Sequence, residues 1–142
     1  MNLSQLPAST VFLYCIAAAA LLIYLPYLFL AYARGRLGYD IAAPRAMFDK
    51  LPPYAQRATW AHQNSFEAFM IFAAAALMAY VTGITSTVAV GAAITFVIAR
   101  SLYSIFYIAN IPLARVLMYA TGVTCSGTLI ALSLLHSAAT VP

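Results

Sequence analysis

Charge is the scarcest property of this chain. Of its 142 residues, seven are Lys or Arg and three are Asp or Glu, 7% together, against roughly 25% in an ordinary soluble domain. The shortage argues against a soluble fold. It also argues against nucleic-acid binding, because no soluble basic surface is left to hold a phosphate backbone. Cysteine is almost as rare: Cys15 and Cys125 both fall inside apolar runs, so no disulfide framework is expected. Two cysteines and two histidines at no ligand spacing make no metal site. Internal repeats, low-complexity tails and interrupted helices of the transporter kind are lacking too, which counts against a channel or transporter subunit.

What fills the chain instead is apolar, at 65% hydrophobic residues. Runs long enough to cross a bilayer, about 20 residues each, lie near 8–33, 56–82, 86–109 and 112–136. No basic residue precedes the first run, and it is too long for a signal-peptide core, so it reads as a retained span with a kink expected at Pro26. The second connection, "TGITST", and the third, "NIP", are short; Asn110 suits a cap and Pro112 a first helical turn. The expected fold is an all-α integral membrane protein, a single four-transmembrane-helix up-down bundle over residues 1–142.

The few charges are also one-sided. The first connection, about 34–55, carries Arg34, Arg36, Asp40, Arg45, Asp49 and Lys50, and Arg57 and Arg115 stand at helix ends on the same side. The termini and the second connection carry no charged side chain. By the positive-inside rule the first loop is cytoplasmic and both termini lie opposite. The short, compact chain makes a bacterial inner membrane the expected setting, with an endoplasmic-reticulum membrane as the alternative.

One stretch breaks the apolar pattern. "RATWAHQNSFEAFMIFAAAALMAY", Arg57 to Tyr80, opens with polar residues and sets Glu67 inside the second span, where a carboxylate is costly unless paired or wet. Helical spacing lines up Arg57, Trp60, Asn64, Glu67 and Ile71 on one stripe, and Arg100, Tyr103, Tyr107 and Asn110 on a stripe of the third span. Antiparallel packing brings Glu67 and Arg100 to one depth, roughly 15 Å inside their helix ends, and a buried Glu67–Arg100 pair is expected. Such a pair can merely fix helix register. The surplus of Gln63, Asn64, Tyr103 and Tyr107 beside it points instead to a lined cleft. With Arg57, Arg34 or Arg36, and Arg115 at the rim, the cleft suits a small anionic, peptide-like ligand, while an apolar second substrate arrives through the bilayer.

These residues resemble the MAPEG family, the membrane-associated proteins in eicosanoid and glutathione metabolism. The resemblance rests on "RATWAHQNSFEAF" opening the second span and "ARSLYSIFYIANIPLAR" one span later, and it covers essentially the whole chain. It implies a homotrimer with glutathione held between adjacent protomers near the cytoplasmic side, and a glutathione-dependent transferase or peroxidase acting on hydrophobic electrophiles. Carried over by position, Asn64, Glu67, Arg100, Tyr103 and Tyr107 would contact glutathione or brace the groups that do. Gln63 and Arg57 would flank them, Arg34 or Arg36 would hold a carboxylate, and Arg115 would stabilise the thiolate. The resemblance also admits a non-catalytic, lipid-binding or partner-binding member. That alternative is favoured by Trp60, which stands where the family's enzymes carry an arginine before the A-[HQ]-x-N core, so that Arg57 would have to replace a lost carboxylate anchor. His62, about 160° around the helix from Asn64, is expected to hydrogen-bond toward the first loop or a neighbouring protomer rather than to act as a base.

Overall fold

The computed structural model describes residues 6–38 and 40–140, all helix and loop. Five α-helices build four spans: α1 (Ala8–Leu22), α2 (Tyr24–Leu37), α3 (Pro53–Val81), α4 (Thr87–Ile108) and α5 (Pro112–Thr140). The first two form one apolar span, Ala8–Leu37. Its ladder is interrupted at Ile23, whose backbone stays right-handed helical. The physical cause lies three residues on, where Pro26 has no N–H for the Leu22 carbonyl. The adjacent Ile23 carbonyl is met from α3 by His62 Nδ1 at 2.8 Å.

The span ends are built by short, readable signals. Pro53 occupies the first turn of α3, and Ser86 caps α4 by accepting the Ala89 N–H at 3.1 Å. Helices α3 and α4 close in the same way. Gly83 (φ 72°) and Asn110 (φ 59°) take the left-handed conformation, and the next N–H groups, Ile84 and Ile111, reach back to the Ala79 and Phe106 carbonyls at 3.2 and 2.9 Å. This is the Schellman closure. Asn110 therefore terminates α4, and Pro112 starts α5 only two residues later.

The exterior is apolar: Leu21, Val81 and Leu113 are at least 74% exposed, as lipid-facing residues should be. Lipid is as apolar as leucine, so close packing must hold the spans together. Small residues supply it. Ala58, Ala61, Ser65, Ala75, Ala76 and Ala79 are the buried face of α3, and Ala89, Ala93 and Ala99 that of α4. Between them Phe72 and Phe96 stack in parallel, 3.8 Å between centroids, and Phe12 and Leu129 complete the core.

Candidate functional site

The polar residues of α3, α4 and α5 converge toward the loop side of the bundle. Arg100, 4% exposed, donates from Nη2 to Asn64 Oδ1 at 3.0 Å and to Ser65 Oγ at 3.3 Å. Its guanidinium lies 4.1 Å over the Tyr103 ring. Tyr103 meets Tyr107 edge to face at 5.5 Å, and the Arg115 guanidinium sits 4.6 Å over Tyr107. Two cation–π stacks thus stand side by side. Asn64, Tyr103, Tyr107, Arg115, Val116 and Tyr119 enclose a pocket of about 270 Å³.

Deeper along the same helices lies an apolar pocket of about 190 Å³, walled by Ala68, Ile71, Phe96, Arg100, Tyr119, Gly122, Val123, Ser126, Gly127 and Ile130. Gly122 lines it without a side chain; a Cβ there would make ordinary contact with Arg100 Cδ at 3.5 Å and Phe96 at 3.7 Å. The two pockets adjoin, because Arg100 bonds and stacks on the polar pocket's Asn64 and Tyr103, and Tyr119 lines both.

A third space opens on the other side of α3. It is a groove of about 1080 Å³ bounded by Tyr27, Leu30 and Arg34 of α2, residues 42–46 and Phe48 of the first loop, and Thr59, Trp60, His62, Gln63, Phe66 and Glu67 of α3. Asp40 shapes the loop by accepting the Ala42 and Ala43 N–H groups at 2.9 and 3.2 Å. Trp60 holds it down through Phe48, 5.6 Å between rings. Arg34 reaches into this groove with its Nε buried and unbonded. No residue of the groove lines the polar pocket.

The structure therefore divides the sequence-derived candidates. Asn64, Arg100, Tyr103, Tyr107 and Arg115 come together, with Ser65 and Tyr119 added. Arg34, Gln63 and Glu67 gather in the groove instead. Arg57 joins neither space, since its Nε donates to the Ile108 carbonyl at the end of α4, 3.0 Å away, and Arg36 is exposed outside both.

The expected Glu67–Arg100 pair is not formed: Glu67 is exposed and Arg100 buried. Equal depth was right for the two helices but azimuth was wrong. Glu67 lies about 200° around α3 from Ser65, and α3 turns its small-residue face inward. The amide of Asn64 and the hydroxyl of Ser65 take the place proposed for the carboxylate. His62 does not reach the loop as a hydrogen-bond donor; it bonds the first span. Trp60, on α3, packs against Phe48 of the loop.

Two contributors were not singled out by sequence reading. Tyr119 is one of ten tyrosines, yet it stands one helical turn beyond Arg115, a spacing that puts both on one face. Ser65 was hidden by its small size.

A search of curated proteins finds no match. A search of solved structures finds none either. The family model of the MAPEG family matches residues 11–135, nearly the whole chain and every span that carries the polar pocket. Four apolar spans, the α3 and α4 polar faces and this match agree, and the chain belongs to the MAPEG family.

Proposed function

We propose that the protein is a membrane-bound, glutathione-dependent transferase or peroxidase of hydrophobic electrophiles. The observation that carries this reading is the convergence of Arg115, Tyr107, Tyr103 and Asn64 on one polar pocket that adjoins an apolar one. A guanidinium, an amide and phenols match the thiol, carboxylates and amides of a small acidic peptide. The neighbouring apolar pocket suits a reactant dissolved in lipid. Arg115 has no acidic partner among the described residues and rests on a ring, so its charge is available to a thiolate. The thiolate is the nucleophile, and a cation beside it raises its fraction at neutral pH.

Homotrimer formation belongs to the same proposal. The groove on one side of α3 is lined by Arg34, Gln63 and Glu67, the polar pocket on the other by Arg115 and Asn64, and the two spaces share no residue. One protomer's groove set against the next protomer's pocket would surround a tripeptide with both sets. The first loop faces the cytoplasm in this arrangement, where glutathione is abundant.

A second reading, a non-catalytic lipid-binding member, is favoured by the commitments of Trp60 to Phe48 and of Arg57 to Ile108, which leave the usual carboxylate anchor unreplaced. Calorimetry of glutathione binding to the purified protein in detergent, with thiolate absorbance recorded on the same sample, separates the two. The enzyme reading expects binding with thiolate formation that Arg115→Ala abolishes. An absence of binding at millimolar glutathione would select the second reading.

A further inference from the structure

Of the residues around the two adjoining pockets, Tyr119 alone lines both. A reaction between a polar thiol held in one and an apolar electrophile held in the other must take place where the two spaces meet. That junction is the side chain of Tyr119. Three further observations bear on what this side chain can do. It follows Arg115 by four residues on α5, so guanidinium and phenol approach the junction from the same helical face. Its ring lies 6.4 Å from that of Tyr103, which ties it to the aromatic cluster without engaging its oxygen. Among the described residues its hydroxyl has no hydrogen-bond partner, so the O–H is available to a reactant.

We propose that Tyr119 is a catalytic hydrogen-bond donor, whose phenol stabilises the atom of the electrophile that receives the displaced electron pair. The proposal rests on the glutathione-dependent reading and extends it to a residue with a separate task from Arg115. Conjugation to an α,β-unsaturated ketone shows the division of labour. The thiol proton leaves to solvent and Arg115 stabilises the thiolate. The sulfur lone pair forms a C–S bond at the β-carbon, the alkene π pair moves toward the carbonyl, and negative charge collects on the carbonyl oxygen. The Tyr119 O–H donates to that oxygen as the charge develops. Water then protonates the α-carbon, and the phenol ends the cycle unchanged. A donor aimed at charge that is absent from the bound reactants and develops during the reaction acts on kcat rather than on binding.

The test uses Tyr119→Phe, which keeps the ring and removes only the oxygen, with an α,β-unsaturated ketone as electrophile. Glutathione thiolate absorbance, KM for the ketone and kcat are measured on wild type and variant in detergent. The expected result is an unchanged thiolate signal and an unchanged KM, with kcat lowered about 10²-fold. An unaltered kcat, or a loss confined to KM, would show a packing residue and overturn the proposal while the functional reading stands. A wild type that forms no thiolate would overturn that reading, and the role of Tyr119 with it.

Discussion

The two sides of α3 carry similar polar inventories and treat them differently. Toward α4 and α5, Arg100 is buried, bonded to Asn64 and Ser65 and stacked on Tyr103. Toward α2 and the loop, Arg34 and Glu67 line one groove and no ion pair joins them; Arg34 Nε is buried and unbonded. A guanidinium with partners fixes the geometry of its neighbours before any ligand arrives. One without partners contributes only when something docks against it. The first side is a preorganised pocket; the second leaves a buried guanidinium nitrogen without a partner among the described residues, and under the proposed function that partner comes from outside the protomer.

Substitutions on the two sides should therefore fail in different ways. Arg115→Ala gives the largest effect, a fall in turnover of about 10²–10³-fold with loss of the thiolate signal, measured beside an unchanged oligomer on size exclusion. Arg100→Ala strands Asn64 and Ser65 and empties the space beside Phe96. We expect it to lower stability by about 2 kcal/mol, seen as a reduced Tm in detergent. Glu67→Gln should leave Tm where it is. Equal destabilisation by both variants would mean that the two sides of α3 are not distinct. Arg34→Ala is expected to weaken glutathione roughly tenfold, about 1.4 kcal/mol, while thiolate formation at saturation is retained. A smaller effect sits outside both sites. Asn110→Gly relieves the left-handed backbone at the end of α4 and should add about 0.5 kcal/mol, a slight rise in Tm with unaltered turnover.

Hydropathy was enough to read the four spans, and Gly83, Asn110 and Pro112 mark their turns because left-handed and fixed-φ positions restrict residue choice. The site was legible in depth and not in rotation. Counting from the helix ends placed Asn64, Glu67, Arg100 and Tyr103 at neighbouring levels. It could not say which face of α3 turns inward, because in lipid that choice follows from where alanine and serine permit close approach. The polar stripe does not decide it. The same limit explains why Gln63 and Glu67 were grouped with Arg100. The break in the first span was visible as Pro26, but its link to His62 joins residues 39 positions apart and has no periodic signature.

That link also bears on the order in which the protein is made. The chain emerges amino terminus first, so the interrupted first span reaches the bilayer ahead of His62. A carbonyl oxygen can only accept, so His62 must offer its Nδ1 proton to Ile23. The imidazole thus reaches a membrane that already contains its acceptor. The second span need not carry an unmet polar ring through hydrocarbon, and it has one depth at which the bond closes. Pro26 interrupts the first span beside that acceptor, and His62 meets the Ile23 carbonyl when the second span arrives.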